Sequence, residues 1–403
     1  MKIVRIIARL NVGGPARHVV WLTKEFNNAE FQTDLLAGTV PEGEEDMSWF
    51  AEANSVSPFF IEEMSRELSP KDIVSLWKIY RAIKAANPDI IHTHTAKAGT
   101  IGRIAGLFYR LLNRKKVKIV HTFHGHIFHS YYGNLKTKIF LIIEKTLARF
   151  ATDKIIVISK QQFEEIHEQF GVGRKEQFLI IPLGIDLENF AEAQAKRNIL
   201  REEIGAENDE ILVGFVGRLT EIKNISLFLK VAKLYQDKRH IDFPKLKFVI
   251  IGDGNLRGKL KAEAESLGLQ KDVKFFGNRT DADVFYAGLD IVALTSLNEG
   301  TPLSLIEAMA NGKAVISTAV GGVIDLFGEV EIEKDGFKVC ERGIRAESND
   351  AEGFFKGLIY LTKDKDLCVN LSEKGKTFVW ENYSKERLFE DLKRLYQTLK
   401  SLE

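Results

Sequence analysis

The chain runs to 403 residues, with 57 Lys and Arg against 56 Asp and Glu, a net charge of +1 and 45% hydrophobic residues. That length exceeds what one hydrophobic core usually carries, so two domains are expected, and the balanced charge excludes a global field for nucleic acid. Two cysteines, Cys340 and Cys368, are few for a secreted chain of this size and read as free thiols in a reducing cytosol.

Met1–Arg9 is apolar but interrupted by charge, and it runs into Gly13-Gly14. It reads as a first buried strand rather than an export signal. No apolar run reaches the ~18 residues that span a bilayer, so any membrane contact is expected to be peripheral. Short β-branched runs follow at Thr33–Ala37, Pro58–Glu62, Ile90–His94, Lys118–Thr122, Lys154–Ile158 and Phe178–Ile181. Helical patterns lie between most of them: Pro15–Asn27, Lys71–Ala86, Ala98–Leu112, Leu135–Phe150 and Gln161–Phe170. Such alternation means a parallel sheet with helices on both faces. It pauses after Pro182-Leu183-Gly184 and restarts with strands at Ile211–Val216, Lys247–Ile251, Val273–Phe276, Ile291–Thr295 and Ala314–Ser317, again with helices between. The expectation is an α/β chain of two doubly wound domains, residues 1–190 and 191–383, with ligands beyond the carboxyl ends of the strands. The last stretch, 384–403, is helical in pattern and open to packing on either domain.

Four segments carry candidate chemistry. Asn298–Gly312 follows an apolar strand; Pro302 suits a first helical turn and Gly312 a helix end. Backbone N–H groups at Gly300, Thr301, Pro302, Leu303 and Ser304 (proline excepted) would then face a ligand, with Glu299 and Glu307 as carboxylates able to accept from sugar hydroxyls. The same spacing fits a solvated loop residue and a surface helical one. In Gly214–Asn224, a strand ends in Gly217 and two cations follow, Arg218 and Lys223. Fixed cations stabilise a leaving pyrophosphate without a metal, and Arg offers a fork matched to phosphate; an ordinary surface Arg and Lys is the competing reading. Asn11–His18 holds Gly13-Gly14 between strand and helix, where the backbone can approach a ligand. Val120–Tyr132 holds four of the nine histidines at a strand end. No carboxylate or cysteine lies between 90 and 143 to complete a usual ligand set, so no metal site is expected and a histidine touching substrate is favoured. Gly252-Asp253-Gly254 with Gly258 imitates a dinucleotide fingerprint, but its third glycine comes one residue late and it sits in mid-domain.

Together these segments resemble family 4 of the retaining glycosyltransferases, of GT-B fold, and within it the subgroup that builds capsular and O-antigen polysaccharides. The resemblance covers essentially the whole chain. It implies two facing Rossmann-like domains with a cleft between them, the N-terminal one binding acceptor and the C-terminal one the nucleotide-sugar. It implies that Glu307 holds the ribose hydroxyls, Glu299 the donor sugar, and Arg218 with Lys223 the pyrophosphate. Gly252, Gly254, Asn278 and Arg279 match loops lining the base, Gly13-Gly14 a loop near the phosphates, and His124 a histidine contacting the transferred sugar. His94, Lys97 and Arg103 look like the subgroup's own signature for the acceptor pocket, and His126 joins them as an acceptor residue. Ala16, Lys313 and Asp325 depart from the residues many relatives carry there, and Ala16 and Asp325 leave the donor sugar open.

The implied reaction is metal-independent transfer of a hexose or N-acetylated hexose, with retention, from a UDP-sugar to a lipid-linked or saccharide acceptor on the cytoplasmic side. No cofactor is expected beyond the donor itself. Nine basic residues and no acidic one lie between Ile90 and Ile143, interleaved with Leu107, Phe108, Tyr109, Leu111, Leu112, Tyr131 and Tyr132. That mixture fits a face for anionic lipid and equally a solvated basic face beside a buried apolar one. A nucleotide-sugar 2-epimerase, a non-catalytic sugar-nucleotide-binding subunit and a dehydrogenase are the alternatives, the last disfavoured by the misplaced glycine.

Overall fold

The computed structural model describes all residues except 12, 42–44, 65–68, 126–133, 192, 239–242 and 402–403, and the side chains of 134–136 and 193–194. The chain divides into two units, Met1–Gly184 with Glu386–Glu403, and Ile185–Lys385. Both crossing points coincide with a small knot of backbone bonds. Ile185 donates to Tyr383 O at 2.8 Å and accepts from Lys385 N–H at 3.0 Å, so the outgoing and returning chain run side by side.

The first unit is built on seven parallel strands: β1 (Lys2–Ile7), β2 (Gln32–Gly38), β3 (Phe59–Ile61), β4 (Ile90–His94), β5 (Lys118–Thr122), β6 (Lys154–Val157) and β7 (Phe178–Ile180). Their order is β3-β2-β1-β4-β5-β6-β7. The helices are α1 (Gly14–Glu25), α2 (Ser48–Ala53), α3 (Asp72–Ala86), α4 (Ala96–Leu112), α5 (Asn134–Phe150) and α6 (Lys160–Phe163). After α6 the expected α-helix to Phe170 widens into a π-helical stretch, Glu164–Gln169. Strands buried on both faces need helices on both faces. One face packs Val4, Ile6, Ile91 and Ile119 against Ile79, Ile83, Ile101 and Ala105 of α3 and α4. The other packs Ile3, Ile90, Val120 and Ile156 against Leu22 and Phe26 of α1 and against the C-terminal helix.

The second unit holds β8 (Ile211–Val216), β9 (Leu246–Ile251), β10 (Val273–Gly277), β11 (Ile291–Leu294), β12 (Ala314–Thr318), β13 (Val330–Lys334), β14 (Phe337–Cys340) and β15 (Gly343–Ala346), in the order β10-β9-β8-β11-β12-β15-β14-β13. The helices are α7 (Arg197–Ile204), α8 (Ile225–Lys238), α9 (Arg257–Ser266), α10 (Ala282–Gly288), α11 (Leu303–Ala310), α12 (Val323–Phe327), α13 (Ala351–Lys363) and α14 (Lys365–Asn382). The sheet is parallel from β10 to β15, whereas β14 and β13 pair antiparallel at its edge. This edge differs from the all-parallel expectation. Its signal is Asp335-Gly336 between Lys334 and Phe337, a two-residue hairpin loop with Gly336 at φ +86°.

The last helix, α15 (Lys385–Ser401), packs on the first unit. Leu388, Leu392, Leu395 and Leu399 recur at helical spacing and are buried against Ile3, Phe26 and Phe31. Tyr396 sits among them; its hydroxyl accepts from Arg5 at 2.8 Å, and the Arg5 guanidinium lies 5.5 Å from its ring centroid. Both cysteines are free.

Candidate active site

Among the parallel strands of each sheet the order reverses once, and loops leaving the strands there open apart into a crevice. In the second unit the reversal lies between β8 and β11. The loop after β8 carries Arg218 and Lys223, and the loop after β11 carries Glu299. Lys223 Nζ meets Glu299 Oε1 at 2.5 Å, and Ser296 Oγ donates to the same oxygen at 2.5 Å. The loops are braced by Leu297 N–H to Ile222 O at 2.8 Å and by Thr295 Oγ1 to Lys223 O at 3.2 Å. Thr318 Oγ1 holds Ser296 O from β12 at 2.6 Å. Arg218 is exposed and makes no ion pair among the described residues. The site thus has one held cation, one carboxylate pinned by two donors, and one cation open to a ligand.

Close backbone contacts fix these loops. Gly252 at the end of β9 has φ +136°, and a Cβ there would lie 2.0 Å from Gly217 O. Gly321 has φ +55°, and a Cβ there would lie 1.7 Å from Glu299 O. Gly321 was not among the residues singled out from sequence, although it seats the loop that carries Glu299. Helix α11 begins one residue after the expected Pro302, which caps it, and its first-turn N–H groups have no carbonyl within the helix. Glu307, one turn along, accepts from Tyr286 Oη at 3.0 Å. Burial, and next the Glu307 charge, push the Tyr286 phenol well above its usual range, so it stays a donor. Gly254 lies in the loop after β9. In the loop after β10, Asn278 is exposed while Arg279 is tied to Asp281 and to Glu203 at 2.6 Å. Lys313 is buried and donates to Ala287 O at 2.8 Å.

In the first unit the reversal lies between β1 and β4. Gly13-Gly14 opens α1 there, and His94 ends β4. His94 Nδ1 and His124 Nε2 are 2.9 Å apart, and His18 on α1 lies edge-on to His124 with ring centroids 4.8 Å apart. Behind them, Arg5 and Tyr396 both approach His92 Nδ1, at 3.1 and 2.7 Å, while His92 Nε2 meets Thr122 Oγ1 at 2.7 Å. Arg5 can only donate, so His92 keeps its lone pair on Nδ1 and its proton on Nε2. The His92 ring lies 4.2 Å from that of His94. Thr95, the residue after His94, holds φ +67° and ψ 158°, a region adopted almost only by glycine. Burial lowers the pKa of His18, His92, His94 and His121 well below the usual value, and that of His124 to about 4.

Two acceptor-pocket expectations fail on geometry. Arg103 is completely buried; Nη2 pairs with Glu144 at 2.6 Å and Nε donates to Gly99 O at 2.7 Å. Glu144 lies one residue beyond the acid-free stretch, on α5, where its pairing was invisible. Lys97 is also buried, with Nζ 2.6 Å from Asp72 of α3. Both side chains bind helices to one another rather than a ligand. His126 lies outside the described residues. His18 closes the Asn11–His18 segment, but its place beside His94 and His124 had no signal in the sequence, because it comes from another element.

Residues 196–378 match the family model for glycosyl transferases group 1, and residues 12–189 that for glycosyltransferase family 4. The chain is 32% identical over 348 residues to the UDP-Gal:alpha-D-GlcNAc-diphosphoundecaprenol alpha-1,3-galactosyltransferase of Escherichia coli, covering 85% of this chain and 84% of that one. It is 26% identical over 330 residues to the D-inositol 3-phosphate glycosyltransferase of Corynebacterium urealyticum, covering 78% and 72%. In fold it resembles Anabaena HepE crystallised with UDP, at 18% identity and a TM-score of 0.79, over 99% of this chain and 100% of that one. Two doubly wound units of this kind define the GT-B class of sugar-transferring enzymes. The chain belongs to family 4 of the glycosyltransferases and transfers a sugar from a nucleotide-sugar.

Proposed function

We propose that the protein moves a hexose or N-acetylated hexose, with retention, from a UDP-sugar to a lipid-linked or saccharide acceptor in capsular or O-antigen polysaccharide assembly. The observation that carries this reading is the Lys223–Glu299 pair beside the open Arg218, at the reversal point of the second sheet. The Escherichia coli relative, named for a UDP-Gal donor and a diphosphoundecaprenol acceptor, supports the choice of nucleotide and of lipid.

In this reading Arg218 and Lys223 take the pyrophosphate, whose negative charge grows as the sugar leaves; fixed cations stabilise that charge without a metal. Lys223 shifts from Glu299 toward phosphate, which frees Glu299 to accept from the donor sugar. Glu307, oriented by Tyr286, takes the ribose hydroxyls. The first-turn N–H groups of α11 and the backbone at Gly13-Gly14 add donors, Gly217, Gly252, Gly254, Asn278 and Arg279 line the nucleotide, and His124 meets the transferred sugar. The leaving phosphate oxygen and the attacking hydroxyl share one face of the sugar, the phosphate taking the proton. The acceptor's saccharide end lies toward the first unit, and a peripheral position on the inner face of the membrane follows from a lipid-linked acceptor.

The test is a thermal-shift panel with UDP, GDP, ADP and NAD on the wild type and on Arg218→Ala. A ligand at a hundred times its Kd stabilises by about 2.7 kcal/mol. The expected result is a shift with UDP that shrinks strongly in Arg218→Ala. A shift with NAD alone, or with no nucleotide, overturns the reading; consumption of donor without acceptor and release of an epimerised sugar would favour the 2-epimerase instead.

A further inference from the structure

His18, His94 and His124 come from α1, the end of β4 and the loop after β5, and each brings a ring nitrogen to within 4.8 Å of the others. His18 and His94 are buried and His124 is partly so. Both nitrogens of His18, Nε2 of His94 and Nδ1 of His124 are buried without a hydrogen-bond partner among the described residues. Buried polar atoms are nearly always paired, so four on three converging rings call for a bound species.

Arg5 is held by His92 and Tyr396 and lies against the rings of Phe26 and Tyr396. Arg387 Nη2 donates to Pro182 O and Leu183 O, each at 2.8 Å, and Nη1 pairs with Asp391 at 2.9 Å. Among the described residues, the charged groups that act on these rings are Arg5, on His18 and His94, and Arg387, on His18. Burial keeps the rings neutral, and an ion that enters takes the place of the proton shared between His94 Nδ1 and His124 Nε2, 2.9 Å apart, so that each ring offers a lone pair, as a metal ligand must. An all-imidazole set without oxygen ligands suits zinc, copper, nickel or cobalt and not calcium or magnesium. Zinc–nitrogen bonds of about 2.0–2.1 Å set tetrahedral ligand nitrogens roughly 3.4 Å apart, so the rings close on an ion by side-chain movements of about an ångström.

We propose that His18, His94 and His124 form a site for one Zn²⁺-type transition-metal ion, with the fourth position open to water or an anion. Arg5 favours an anion there. Because the ion occupies His124, it acts as a brake on transfer and not as a cofactor; that clause alone rests on the proposed role of His124 at the transferred sugar.

The test is titration of the full chain at pH 7 with Co²⁺, read by the visible absorption of four-coordinate cobalt, with Zn²⁺ as competitor. One ion per chain is expected, displaced by Zn²⁺. His18→Ala and His94→Gln should each weaken binding at least tenfold while keeping the wild-type far-UV circular dichroism; His18→Gln serves where His18→Ala does not fold. Unchanged Co²⁺ affinity in the folded variants overturns the site, as does the lack of a four-coordinate spectrum, or stabilisation by inorganic phosphate and not by Zn²⁺. The UDP shift reads the other unit, so failure there and failure here are separate results.

Discussion

Four buried histidines, His18, His92, His94 and His121, and the half-buried His124 make the first unit sensitive to acid. Their pKa values are lowered in the fold, chiefly by burial, so the neutral form is the one the fold favours. The sign follows from linkage. The unfolded rings take up protons below about pH 6.5 while the folded ones resist, so the stability they contribute is complete above that pH and is lost as pH falls toward about 4. The expected outcome is a melting temperature for the first unit, read by calorimetry, that drops by several degrees between pH 7 and pH 5. A flat profile over that range would show the rings to be solvated. Arg103 and Glu144 illustrate a different residue-scale effect. Both are buried, at 0% and 1% exposure, so losing one partner strands a charge in the core.

At the scale of elements, the second unit's site depends on loops pressed together at positions without a Cβ. Gly252 holds a positive φ and no side chain fits between it and Gly217 O. Gly252→Ala is therefore expected to cost about 1–3 kcal/mol in urea unfolding and to weaken UDP binding, because the displaced Gly217 carries Arg218 with it. Wild-type stability with a wild-type UDP shift would contradict the close packing. The elements themselves were unevenly legible. Ile90–His94, Lys118–Thr122 and Ile211–Val216 match their expected bounds at both ends, because each is a short run rich in β-branched residues. The hairpin β13–β14 went unread because Val330–Lys334 is exposed at a sheet edge, where alternating Val, Glu, Ile and Glu answer to no core. Of the candidate site, the Lys223–Glu299 junction was legible as two motifs, whereas the bond between them spans 76 residues and had no sequence signal.

At the scale of the whole molecule, no helix among the described residues is long and apolar enough to cross a membrane. The first unit nevertheless exposes Trp77 (59%), Leu111 (63%) and Leu112 (71%), with Ile73 and Phe108, on α3 and α4. Ile73, Trp77, Phe108 and Leu112 line one apolar groove, and the exposed Arg114, Lys115 and Lys116 follow the end of α4. Apolar side chains rimmed by cations suit an anionic bilayer surface, at about 1 kcal/mol per well-placed cation. The wild type is expected to sediment with anionic liposomes at low salt. Trp77→Ser with Leu112→Ser should lower the bound fraction severalfold, and a wild type that stays in the supernatant would refute the membrane face.

What the sequence by itself determined is the alternation of buried strands and amphipathic helices, the pause near Gly184, and the motifs at strand ends, because periodicity and turn chemistry are local. What only the tertiary structure decided is the partner of each long-range group. Leu388, Leu392, Leu395 and Leu399 prescribe an apolar stripe, yet nothing local says that Ile3 and Phe31 cover it. Arg103 carries the same charge whether it faces a ligand or Glu144, and His18 is one polar residue among several on α1 until the ends of β4 and β5 bring His94 and His124 beside it. Burial energy depends on which surfaces meet, and that is a property of the folded chain.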